Sequence, residues 1–173
     1  SISDALAKKA LSLLGANIRK VVEKPGNRIA REKMLLGSML AGMAFSNAPC
    51  AGVHALAYPI GAKFHVPHGL SNSLVLSKVL KFNSLKVEKM YCEIAEDCLP
   101  YLKGKTIKVD DFILGIEELI ADLNIPRTLR DVGISHNDIP KLAEDSMKQQ
   151  RLLINNPRDL NLDDAISIYK AAL

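Results

Sequence analysis

Of the chain's four histidines, three fall close together, at His54, His65 and His68. The segment around them is almost free of charge: between Met34 and Ser77 the only Asp, Glu, Lys or Arg is Lys63. Neutral imidazoles among apolar, Gly- and Pro-punctuated residues suit a metal pocket, where ligands must be deprotonated and water partly excluded. A hydrogen-bonded core histidine is the competing account of each ring. Two or three imidazoles also do not complete a catalytic site, which usually takes three protein ligands and an open position. Any carboxylate ligand must come from outside this segment.

The spacing constrains which rings can meet. His54 lies in a helical stretch from Val53 to Tyr58, where residues four apart share a face, so Tyr58 projects beside it. Val66 precedes Pro67 and is pushed extended, and Pro67 suits the opening of a new helix. His65 and His68 therefore do not share one continuous helix, whereas His54 and His68, from adjacent helices across a turn, can meet at one ion. His65 reads as a loop histidine, with pocket lining or a substitute ligand as the other reading. His136 follows Ser135 in a helix-start pattern and is expected to face solvent. Cys50, after Pro49, is either a pocket residue or a small buried filler.

The elements that must hold these residues read as helices almost throughout. Leu6, Ala10, Leu13, Leu14, Ile18 and Val21 mark a first helix, closed by Pro25 and Gly26. Asn27 can cap the next, through Met34, Leu35, Met39, Met43 and Phe45. Its apolar character nearly all round predicts a central position in a bundle. Leu70 to Phe82 continue as a helix up to Asn83, and Val87 to Ala95 form another. Val109 to Leu123 make an amphipathic helix ended by Asn124 and Pro126. Ser135 with Asp138, and Asn161 with Asp164, are spaced like capping boxes that open the last two helices. No alternating strand pattern, internal repeat or low-complexity tract appears. The fold expected is all-α, a helical bundle.

Composition agrees. The 173 residues suffice for one domain with a real core, and a single all-helical domain over 1–173 is expected. The hydrophobic share is 48% with only 5% aromatic and no Trp, a balance that favours packed helices over sheets. A formal charge of +4 is mild, and the Lys and Arg residues are scattered among acids. That argues against a nucleic-acid surface, which needs clustered basic residues and stacking aromatics. The uncharged run before Ala62 is broken by Ser46, Asn47, Pro49 and several glycines, against a membrane span of about 20 apolar residues. Three cysteines without metal or redox spacing fit free thiols in a reducing cytoplasm.

The blocks Gly42–Asn47 (GMAFSN), Val53–Ala57 (VHALA), Pro67–Asn72 (PHGLSN) and Phe82–Asn83 together resemble the iron-containing (group III) alcohol dehydrogenases. The similarity extends through Ser1–Ala7 at one end and Leu123–Gly133 and Asn156–Arg158 at the other. The resemblance implies the family's all-helical C-terminal domain. In that family an N-terminal α/β domain binds NAD(P), and Fe²⁺, sometimes Zn²⁺, is held by one Asp and three His. By motif position His54 and His68 match the last two histidines. The Asp, the first His and the Gly-rich cofactor segments have no counterpart in this chain.

The expectation is thus an oxidoreductase domain that acts on a small alcohol or aldehyde together with a missing N-terminal domain. The chain alone is expected to be inactive, cytoplasmic and prone to homo-oligomerise. Tyr58 stands where many members carry a further histidine near the nicotinamide; a substrate hydrogen bond and simple packing are both open to it. The resemblance places the stretch Asn156–Arg158, which Arg151 and Leu152 precede, near the substrate cleft, and loop structure alone explains it equally well; Lys63 could meet a cofactor phosphate. The rival expectation is a non-catalytic helical module that binds a partner or itself through an exposed apolar face.

Overall fold

A computed structural model describes residues 1–173, and it is all-α, with eight α-helices, three short 3-10 turns and no strand. The helices are α1 (Ile2–Glu23), α2 (Arg28–Phe45), α3 (Gly52–Phe64), α4 (His68–Cys98), α5 (Val109–Asp122), α6 (Ile139–Met147), α7 (Gln150–Leu153) and α8 (Leu162–Ala172). No helix is long and apolar enough to cross a membrane. The chain divides into two compact units, one of Ser1–Pro49 with Glu88–Leu123, the other of Cys50–Val87 with Asn124–Leu173.

In the first unit α1 and α2 fold back on each other through the turn at Lys24 to Asn27. Ser1 and Asp4 form a capping box on α1, and the Asn27 side chain accepts from Ala30 N at 3.0 Å to start α2. The expected central position of α2 does not hold. Leu35 is 75% exposed, and Met39, Met43 and Phe45 are each at least half exposed. Its buried residues are Ala30, Gly37 and Ala44, spaced by seven. That small stripe lets α1 approach so closely that a Cβ on Gly37 would lie 2.9 Å from the Leu14 side chain. The large apolar side chains are left on the opposite side. Tyr91 and Phe112, with ring centroids 5.8 Å apart, join α4 to α5 in the same unit.

The second unit is built on a core of Leu56, Ile60, Val75, Leu142, Ala165 and Tyr169. The predicted capping boxes are present: Ser135–Asp138 opens a 3-10 turn that runs into α6, and Asn161–Asp164 opens α8. The predicted break near Asn83 falls instead at Val87, where φ is −131° and ψ is 28°. Asn83 and Ser84 are buried with their polar groups bonded inside the protein, so the helix continues through them.

Candidate metal centre

α3 begins without a local cap, since Ala51 offers no side-chain hydrogen bond. The cap comes from far along the chain: Gly52 N donates to Asn156 Oδ1 at 3.2 Å. A Cβ on Gly52 would lie 2.7 Å from that oxygen, so only glycine leaves room for the bond. Asn156 also exchanges two hydrogen bonds with Asn83, at 3.0 and 2.8 Å, and donates to the Arg158 carbonyl. Arg158 donates to the Phe82 carbonyl at 3.0 Å and lays its guanidinium 3.8 Å over the Phe82 ring. Thus Phe82–Asn83 and Asn156–Arg158 form one knot that fixes the start of α3. The two asparagine amides are bonded to each other and to neighbouring backbone inside the protein, while Arg158 commits one guanidinium N–H to the Phe82 carbonyl.

Two residues after that anchor stands His54, and one turn later Tyr58. Between them the buried Tyr169 hydroxyl donates to the Leu56 carbonyl at 2.6 Å, tying α8 to α3. At the far end His65 ends α3 in the left-handed region with φ 55°, a conformation His tolerates better than most residues. Val66 then plugs the core, and Ser71 Oγ donates back to the Val66 carbonyl at 3.1 Å. This reversal delivers His68 as the first residue of α4.

The rings of His54 and His68 come together, with centroids 5.2 Å apart and planes inclined at 52°. Tyr58 completes a cluster, its ring 6.2 Å from His54 and 6.0 Å from His68. His54 is half-buried; its burial, and secondarily the nearby His68, hold its pKa below the ordinary imidazole range. It is therefore neutral at neutral pH, the form that can ligate a metal. Asn72 reaches His68 Nε2 at 3.2 Å, while its own buried Oδ1 has no partner. No group of three or more His, Cys, Asp or Glu gathers anywhere in the chain. The donor set is thus an imidazole pair, with an orphaned acceptor beside it. The pair fits a divalent cation that takes its remaining ligands from outside these residues, provided that the Asn72 amide turns from His68 Nε2 or that Nδ1 is the ligating nitrogen.

The other sequence candidates lie elsewhere. His65 and His136 are exposed, and neither joins the cluster. Cys50 packs against the core of its unit, and its carbonyl accepts from Asn155. Lys63 pairs with Asp145 of α6 at 3.2 Å and lines a cavity of about 600 Å³ together with Tyr58, His68, Lys148 and Gln149. Sequence reasoning missed Asp145 and Lys148, because no spacing rule links them to residues some eighty positions earlier.

Residues 1–173 match the profile described as Fe-containing alcohol dehydrogenase family, C-terminal. Among curated relatives, the long-chain-alcohol dehydrogenase 1 of Geobacillus thermodenitrificans (strain NG80-2) is 39% identical over 98% of this chain and 44% of its own length. The 1,3-propanediol dehydrogenase of Klebsiella pneumoniae is 34% identical over 99% of this chain and 44% of its own. Among solved structures, a 1,3-propanediol oxidoreductase superposes with a TM-score of 0.94 at 34% identity, covering 100% of this chain and 46% of that one. The Oenococcus oeni alcohol dehydrogenase superposes at 0.92 with 29% identity, covering 100% and 45%. The chain spans less than half the length of the curated relatives it matches.

Proposed function

The chain belongs to the Fe-containing alcohol dehydrogenase family, as its C-terminal helical part, and we propose that it is the metal-holding half of an NAD(P)-linked enzyme that interconverts an alcohol and an aldehyde. The observation that carries this reading is the approach of His54 and His68, from two helices, to a ring separation of 5.2 Å. His54 and His68 would hold Fe²⁺ or Zn²⁺, with the remaining ligands and the dinucleotide supplied by the rest of a chain of the relatives' length. Such an ion acts there as a Lewis acid toward the substrate oxygen.

The chain's own residues then have separable roles. His54, kept neutral by burial, offers a nitrogen lone pair without first losing a proton. Tyr58 sets its ring beside both imidazoles, and its hydroxyl would orient the substrate by a hydrogen bond. Asn156, through Gly52, and Tyr169, through Leu56, hold α3 so that His54 and Tyr58 keep their places. The Asn156 knot and the Tyr169 hydroxyl are positioning devices; neither needs to touch substrate.

Elemental analysis of the purified chain, after loading with Fe²⁺ without oxygen or with Zn²⁺, tests the site. Bound metal should fall to background in His54→Ala and His68→Ala; unchanged content in the double variant defeats it. The chain by itself should show no NAD(P)-dependent alcohol oxidation, and robust turnover would overturn the division of labour proposed here.

One observation favours a second reading, that of an interaction or self-association module. Leu35, Met39, Met43 and Phe45 expose a run of large apolar side chains on α2, more than a solitary surface usually leaves uncovered. Sedimentation of the chain beside a Leu35→Glu variant separates the two: association abolished by the glutamate, with no metal bound, supports the module.

A further inference from the structure

We propose that the cavity beside Tyr58 and His68 takes the anionic end of its substrate, a carboxylate, sulfonate or phosphate group, on Lys63 and Lys148. This rests on the reading above, which puts the reacting alcohol or aldehyde at the imidazole pair, and adds the chemistry of the substrate's other end.

The charges around the cavity are out of balance. Asp145 Oδ1 accepts from Lys148 at 2.6 Å and Lys141 at 3.1 Å, and its Oδ2 faces Lys63 at 3.2 Å. One carboxylate thus serves three ammonium groups. Glu144 offsets part of Lys141 at 3.4 Å. The Asp138 carboxylate, which also feels Lys63, is committed to Ser135 N and Oγ at 2.8 and 2.6 Å. Of the three lysines, Lys63 and Lys148 line the cavity, and Asp145 is the only acid that does. Each ammonium carries three donors, and one bond to Asp145 does not use them up. Joining α3 to α6 would need one lysine; two facing the same space leave a net positive wall.

The setting strengthens that wall. The Asp145 side chain is 19% exposed and that of Lys63 35%, so solvent screens this pair incompletely, whereas Lys148, at 67%, reaches the cavity from the solvent side and is screened more. Gln149 adds a neutral donor, and Ala57 and Val66 supply apolar surface for a short carbon chain. Tyr58 and Lys63 stand five residues apart on α3, a rise of about 7.5 Å along the helix. They are also turned about 140° apart around the helix axis, so the cavity that both residues line, and not the rise alone, sets the length of a substrate that reaches both. The chemical class is a short ω-hydroxy acid, or the sulfonate or phosphate ester of comparable length.

The test titrates the intact, metal-free chain with 4-hydroxybutanoate and with its uncharged counterpart 1,4-butanediol, following the backbone amides of Tyr58, Lys63 and Lys148 by NMR. The hydroxy acid should give saturable shifts at these residues and the diol none. Removing a hydrogen-bonded charge partner should weaken binding about tenfold in Lys63→Gln and in Lys148→Gln. Lys141→Gln, which alters the same cluster but not the cavity wall, should bind as the parent does. Equal binding of acid and diol, or equal losses in all three variants, overturns the proposal. Inorganic phosphate is the control for an anion not borne by the substrate; binding as tight as that of the hydroxy acid removes the assignment to substrate. His54→Ala should leave the anion affinity intact. Failure of the metal reading therefore shows in metal content, and failure of this one shows in the titration.

Discussion

Asn156 caps a helix that starts 104 residues before it, accepting the Gly52 amide on its Oδ1 while both ends of its side chain engage Asn83. Both asparagines are buried, at 8% and 4% exposure. Asn156→Ala leaves the Gly52 N–H and the Asn83 amide without partners and should cost about 2–4 kcal/mol. Urea unfolding measures that loss. The same variant should weaken metal binding with His54 itself untouched, because the start of α3 is no longer fixed. Unaltered metal affinity in a folded Asn156→Ala protein would show that the knot serves stability alone.

Gly52→Ala approaches the same joint from the other side. Its Cβ would meet Asn156 Oδ1 at 2.7 Å and Cγ at 3.1 Å, both in a buried group held by four hydrogen bonds. An overpacked contact of this kind costs about 1–3 kcal/mol. A stability gain, as helix propensity alone would suggest for alanine, would refute the packing account.

Tyr169→Phe removes the hydroxyl that donates to the Leu56 carbonyl at 2.6 Å and should cost about 1 kcal/mol, measured by thermal or urea unfolding. Burial also pushes the Tyr169 phenol far above its ordinary range. In a spectrophotometric titration of the native chain one of the four tyrosines should therefore stay protonated until alkali unfolds the protein.

Acid should act through Asp145. Hydrogen bonds from Lys148 and Lys141, then Lys63, hold its carboxyl well below the usual carboxylate range. The folded pKa is depressed, so the stabilisation is present above the unfolded value of 3.8 and is lost as pH falls below it. Asp145→Asn should flatten the acid limb of the stability curve between about pH 4 and 2. An unchanged acid limb would mean that the cluster contributes nothing to folding.

Cys98 carries the opposite shift. Burial, with help from Asp97, pushes its thiol up to about 11. A raised folded pKa adds stability below the unfolded value of 9.0, and that contribution disappears as pH climbs through 11. At pH 8 Cys98 should resist iodoacetamide in the native chain and react promptly once guanidinium unfolds it. Mass spectrometry of the modified peptide checks this.

Much of the fold was legible because helices announce themselves locally. The 3.6-residue period, the Pro25–Gly26 stop, the Asn27 cap and the boxes at Ser135–Asp138 and Asn161–Asp164 are relations between neighbours in sequence. The turn before His68 was legible for the same reason, since Pro67 restricts Val66 directly. The position of α2 was not. An apolar surface all round says that something must cover the helix, but which residues turn toward α1 is settled by the fit of Ala30, Gly37 and Ala44 against it. The break at Val87 was misplaced because Asn83 looks like a helix end until its amide is seen bonded to Asn156.

The sequence by itself determined an all-helical chain, the local frame that sets Tyr58 one turn after His54, and the separate helix that begins at His68. Only the tertiary structure decided that His54 and His68 lie within 5.2 Å of each other, that Asn156 anchors the start of α3, and that Lys63 and Lys148 share a cavity around Asp145. The reason is range. Periodicity and capping act over a few residues, whereas these three meetings join segments separated by turns and long intervening helices, whose positions come from the packing of the whole core.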